Sequence, residues 1–198
     1  MIGFFIGCAI SVCKGLAVAK LAIDAVKMIA NAFISLAKSL GLIKEETKAE
    51  DLGDKALQSE YDPNDFSSYE EYVKAVEAFD DLEPEKSKEF SEKEKLEKGI
   101  ELVAGVTAEK YHNEFPVEKF LIEVGKNRDF FTDVKMEEIG KLIKADGQNV
   151  SDILKYLDGT EKDDLKLKEV EGKLIEIEKK VNPNISNMEA WKNVKELG

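Results

Sequence analysis

At 198 residues, 43% apolar and 35% charged, the chain is long enough to bury a hydrophobic core and too apolar to be a disordered polyelectrolyte. Its net charge of −12 is unevenly placed: residues 1–44 carry Lys14, Lys20, Lys27, Lys38 and Lys44 against Asp24, a net +4, and residues 45–198 a net −16. So acidic a body repels phosphate backbones, which argues against nucleic acid as a partner, whereas a cationic apolar end suits an anionic bilayer or an acidic protein surface.

Helix formers dominate, and β-branched and aromatic clusters are sparse. The expected fold class is therefore all-α: a long hydrophobic, amphipathic N-terminal helix followed by an irregular acidic bundle of short helices. Three segments are expected. Residues 1–43 form a hydrophobic cationic helix that associates with a membrane or oligomerises, 44–90 a helical linker region, and 91–198 an acidic helical bundle.

Within the first segment, residues 1–19 are apolar all round except for Lys14. The uncharged run, 1–13, is shorter than the roughly 20 residues of a membrane span. With Lys14 snorkelling, residues 1–23 could still cross or insert deeply. Gly3, Gly7, Ser11, Gly15 and Ala19 recur every fourth residue, a small face of the kind that lets helices approach closely. From Lys20 onward the polar positions Lys20, Asp24, Lys27, Asn31, Ser35 and Lys38 form one stripe. Val18, Ala22, Ala25, Ile29, Phe33, Leu36 and Leu40 lie opposite, and Gly41 is the expected stop. No charge precedes the apolar run and no polar cleavage region follows it, unlike a secretory signal.

Residues 45–60 read as a short polar helix with little to bury. Pro63 and its Asp, Asn and Ser neighbours form a loop, and Ser68 with Glu71 predicts a capping box for a helix over 69–79. A charged second linker containing Pro84 covers 80–90. Ser91 with Glu94 predicts another box, opening a helix over 92–112 with Leu96, Ile100, Val103, Val106 and Tyr111 inward. Gly99 and Gly105 weaken its interior and point to close packing. Pro116 opens the next helix. Thr132 caps one over 133–145 that stops at Asp146-Gly147, and Ser151 begins another ending at Asp158-Gly159. Leu167, Val170, Leu174, Ile177 and Val181 make a seam on a helix over 161–181. Ser186 with Glu189 caps a last helix, which Trp191 and Val194 anchor.

Chemistry is sparse. His112 is the sole histidine, and Cys8 and Cys13 lie five apart on a helix, so neither a disulfide framework nor a zinc set is expected. Nucleotide-binding glycine loops and a nucleophile elbow are missing, and adjacent acids such as Asp80-Asp81 do not face one site. No catalytic residue, metal, cofactor or small-molecule substrate is assigned. The expected function is a non-enzymatic, membrane-associated structural or interaction protein on the cytoplasmic side. Its N-terminal helix attaches to the membrane surface, and its acidic domain meets a protein partner. The alternative is a soluble cytoplasmic adaptor, self-associating or bound to a hydrophobic partner through that helix; a holin-like pore former ranks third.

Overall fold

The computed structural model describes residues 2–145 and 147–197. Among these there are eleven α-helices and no strands. They are α1 (Ile2–Gly15), α2 (Ile23–Leu40), α3 (Ala49–Ser59), α4 (Tyr69–Ala78), α5 (Pro84–Ser87), α6 (Glu92–Tyr111), α7 (Val117–Lys126), α8 (Asp133–Ala145), α9 (Gly147–Leu157), α10 (Asp164–Val181) and α11 (Asn187–Lys195).

Side-chain caps mark the starts of α4, α6, α10 and α11. The Ser91 and Ser186 hydroxyls accept from Glu94 N and Glu189 N, and each glutamate reaches back to its cap residue, completing both boxes. Ser68 accepts from Glu71 N, but Glu71 turns back to Ser67 instead. The same N-terminus gains a cap from a distant helix. Glu109 of α6 accepts from Tyr69 N at 2.8 Å and Glu70 N at 2.7 Å, a charge-assisted pair placed where the α4 dipole favours an anion.

The molecule is built around α6. Leu96, Ile100, Leu102, Val103, Ala104, Val106, Thr107, Ala108 and Tyr111 are all buried, so the middle of this helix is enclosed on every side, as a helix that is apolar all round requires. It packs against α1, α2, α3, α4 and α7. The crossing with α3 is the tightest. A Cβ added to Gly53 would lie 1.8 Å from Lys95 O, and one added to Gly99 would lie 2.2 Å from Ala49 O. Two glycines thus let two backbones touch. On the other side, α2 lies between α6 and α8, with Val26, Ile29, Phe33, Leu36 and Leu40 covered. One continuous hydrophobic cluster runs from Phe5 to Val194 and draws on residues from 1–43, 44–90 and 91–198 alike.

Several local expectations are corrected. The N-terminal segment is two helices, not one. Ala17 adopts left-handed φ 49°, ψ 41°, a single turn of 3-10 helix covers Val18–Lys20, and α2 starts afresh at Ile23. Leu16 and Val18 are both buried at the break, and Lys93 donates to Ala19 O at 2.9 Å and Leu21 O at 2.7 Å. The core therefore bends the chain just after Gly15, with the left-handed position itself taken by an alanine. The 45–60 helix is far from idle, because Ala49, Leu52, Gly53 and Ala56 of α3 are buried. The second linker is pinned: Glu83 N donates to Gln58 Oε1 at 2.9 Å, and Ser87 Oγ donates to Asp54 Oδ2 at 2.6 Å. The helix expected from Ser151 begins at Gly147. Asp146 of the expected Asp146-Gly147 stop lies outside the described residues. At the C-terminus Val194 is buried and its carbonyl accepts from Tyr156 Oη at 2.9 Å, whereas Trp191 is 48% exposed.

Candidate functional site

Helix α1 has two apolar faces and only one of them is covered. Phe5, Ala9, Val12 and Leu16, spaced four, three and four apart, are buried against α6 and α7. Gly3, Phe4, Gly7, Ile10 and Lys14 are exposed, with Phe4 at 59% and Ile10 at 38%. The stretch Ile2–Lys20 has a mean hydropathy of 2.0 and is long and apolar enough to cross a membrane by length and composition, yet only 28% of its apolar window is buried. Hydropathy alone cannot separate a core helix from a span. The geometry adds that α1 itself is 14 residues, about 21 Å at the α-helical rise, against a hydrocarbon core of about 30 Å. As folded it lies along the body rather than projecting from it.

The small-residue face divides into two halves. Ser11 Oγ donates to Glu118 Oε1 at 2.5 Å, and a Cβ on Gly15 would lie 2.5 Å from Ile122 Cδ1, so this half seats α7. Gly3 and Gly7 have nothing within 4 Å of an added Cβ and continue the same side outward. Ala19 falls in the 3-10 turn, beyond the end of α1. At the amino-terminal end of the face, His112 sits 5.2 Å from the Phe5 ring and 5.9 Å from that of Phe4, with Nδ1 3.1 Å from Ala108 O. At the other end a groove of about 350 Å³ runs between Ile10, Lys14 and Ala17 and the Glu97 and Glu101 side chains of α6. Burial pushes the Glu97 carboxyl up; Lys93 works against this, and Glu101 and Glu94 add to it.

The remaining sequence-derived positions separate clearly. Val18, Ile29, Phe33, Leu36 and Leu40 are buried under the chain's own helices, so in the folded monomer they are core residues and offer no free surface. Ala22 is exposed at the N-cap of α2. Along the polar stripe Lys20, Asp24 and Asn31 are exposed, while Lys27 pairs with Glu92 at 2.5 Å. Lys38 shares a groove of about 450 Å³ with Lys27, Lys48, Glu50, Glu92 and Asp133, so acids from the body meet the lysines of this stripe.

The nucleophile candidates are poorly set up for attack. Cys8 and Cys13 are free and half-buried. Burial first, then Glu101 and Glu97, push the Cys13 thiol up to about 12, and burial and Glu118 raise that of Cys8. Both remain thiols at neutral pH, the unreactive form. Among the described residues no three His, Cys, Asp or Glu side chains are gathered to hold a metal ion.

Periodicity missed what matters most about α1, which is the division between Phe4 and Phe5. The signal was present in the four–three–four spacing of Phe5, Ala9, Val12 and Leu16, but a helix apolar on all sides hides its own inner face. Comparison of the chain with models of known protein families, with curated proteins and with solved structures finds no match.

Proposed function

We propose that this is a non-enzymatic interaction protein that attaches to the cytoplasmic side of a membrane by the outer face of α1 and presents its acidic helical body to a protein partner. The observation that supports it is a helix apolar on both faces whose outer face has no cover. An interfacial helix buries such a face in the headgroup–acyl boundary, gaining about 25 cal/mol per Å² of apolar area removed from water. Lys14 and Lys20 are exposed at the carboxyl end of the face and suit the headgroup layer. The docked inner face favours attachment along the surface over the pore-forming alternative, which requires α1 to leave α6 and α7.

A soluble adaptor is the second reading, and Gly3 and Gly7 favour it. Their open side lets another helix approach closely, and a second copy of α1 offers the same side. The test uses the full chain and a Phe4→Asp, Ile10→Glu double variant, both changes lying on exposed positions. Flotation with phosphatidylcholine vesicles, with and without phosphatidylserine, is read beside solution mass by light scattering without lipid. The expected result is wild-type protein that floats and a variant that stays in the aqueous fraction. A wild type that forms a defined oligomer without lipid and never floats replaces membrane attachment with the adaptor. One that neither floats nor associates overturns both.

A further inference from the structure

A cleft of about 370 Å³ opens where the α7–α8 connection meets α11, far along the chain from α1, walled by Lys126, Asp129, Phe130, Lys135, Asn193 and Glu196. Lys135 is the unusual wall. Its side chain is only 6% exposed, it forms an ion pair with Glu178 of α10, whose side chain is 2% exposed, and its ammonium stands 3.8 Å from the centre of the Phe130 ring. The other carboxylate oxygen of Glu178 is held by Asn182 Nδ2 at 3.1 Å and Asn193 Nδ2 at 3.2 Å. Burial alone would raise the Glu178 carboxyl; Lys135 and the two amides outweigh it and keep the group below the usual carboxylate range.

Such a pair contributes little that an apolar pair of the same volume would not, so fold stability is a weak reason for a dehydrated charge here. An ammonium has three N–H donors. Glu178 and the Phe130 ring engage the ammonium, and Lys135 is itself one of the residues that line the cleft. The remaining walls carry both signs: Lys126, paired with Glu123 at 2.6 Å, and the exposed acids Asp129 and Glu196. Lys192 stands 3.8 Å from Glu196, so with Glu178 beneath and these ion-pair partners included, four carboxylates (Glu123, Asp129, Glu178, Glu196) stand against three lysines (Lys126, Lys135, Lys192). A simple anion is therefore disfavoured by the net field, and a simple cation by the buried ammonium.

We infer that this cleft binds a small zwitterion of the α-amino-acid class. Its carboxylate accepts from Lys135, with Lys126 at the rim, its ammonium faces Asp129 and Glu196, and its side chain lies toward Phe130. This site is independent of the attachment proposed for α1. Both can hold, and either can fail alone.

The test titrates the full-length protein with L-leucine and L-alanine, and with acetate and methylammonium as probes of one sign each. The fluorescence of Trp191, the sole tryptophan and on the same helix as Asn193, is followed together with calorimetric heat. Saturable binding of an amino acid that neither single-sign probe reproduces is expected, weakened roughly tenfold or more by Lys135→Met and by Asp129→Asn with Glu196→Gln. Because Lys135→Met strands Glu178, the fold is checked by thermal melting, and the double variant at the exposed rim carries the test if that protein unfolds. No saturable binding up to about 10 mM, or binding equal for acetate, or binding untouched by the rim variant, overturns the inference.

Discussion

The least forgiving positions in this protein are two glycines where backbones meet. Alanine at Gly53 or Gly99 would put a methyl group 1.8 Å from Lys95 O or 2.2 Å from Ala49 O, and neither carbonyl can step aside without moving a helix. Each substitution is expected to cost about 3 kcal/mol or more, seen as a lower urea midpoint at an unchanged slope. Gly7→Ala meets nothing within 4 Å and should stabilise by about 0.5–1 kcal/mol through helix propensity. The same chemical change thus has one sign at Gly53 and Gly99 and the opposite sign at Gly7. Two carboxyls give a second pair of opposed effects. Burial works to raise Asp54, but bonds from Ser87, Gln58 and Lys95 hold it below the usual range. Its stabilisation is therefore present above the unfolded pKa and lost as pH falls through the lower folded value. Glu97 is raised by burial, so its ionised form opposes folding at neutral pH and stability recovers as pH falls through its folded pKa. Urea titrations at neutral pH and below about pH 4 should show Asp54→Asn losing stability mainly at neutral pH and Glu97→Gln gaining it there.

Among the elements, α1 is the one whose two faces should answer mutation differently. Phe5→Ala empties a core position that is 3% exposed and is expected to cost about 3–5 kcal/mol in thermal or urea unfolding. Phe4→Ala removes a ring 59% exposed and should change stability by about 0.5 kcal/mol or less, while weakening flotation or self-association. Equal stability losses at the two positions would mean that the outer face is covered in the isolated monomer. How far such elements can be read from sequence depends on whether the determinant is local. Ser91 and Ser186 announce their helices because a cap acts within one turn, whereas the helix expected from 161 begins at Asp164, behind an Asp163 cap that the apolar seam does not mark. Gly41 likewise ends α2 in the left-handed region, at φ 74°. The break at Ala17 was missed because Gly15, which ends α1, also fits the small-residue face, and the left-handed residue is an alanine flanked by the buried Leu16 and Val18. The central place of α6 was hidden too. Leu102, Ala104 and Ala108 lie outside the stripe of Leu96, Ile100, Val103 and Val106, and only five surrounding helices show that every side is covered. Lys135 and Glu178 carried a faint signal as charges in apolar register, one four residues before Ile139 and the other four after Leu174, but neither position names its partner.

At the scale of the whole molecule, a segment that looks like a detachable anchor shares the core of the body. Phe5, Val12, Leu16 and Val18 belong to the same hydrophobic cluster as Leu102 and Val106 of α6, Phe120 and Val124 of α7, and Val194 near the carboxyl end. Further ties cross the boundary: Ser11 to Glu118, Cys13 to the Glu97 carbonyl, and Lys93 to the carbonyls of Ala19 and Leu21. Removing residues 1–20 would strip one side of α6 bare, and a domain of this size holds only about 5–15 kcal/mol of net stability. The truncated chain is therefore expected to lose cooperative unfolding and fixed tertiary packing while keeping much of its helix. The near-ultraviolet signal should collapse, the far-ultraviolet signal should persist, and a dye for exposed apolar surface should bind. A truncated protein that stays monomeric, melts sharply and keeps its near-ultraviolet spectrum would show instead that α1 is an appendage. For the same reason, membrane or partner binding is best examined with substitutions at Phe4 and Ile10. A deletion would confuse the loss of a contact surface with the loss of the fold.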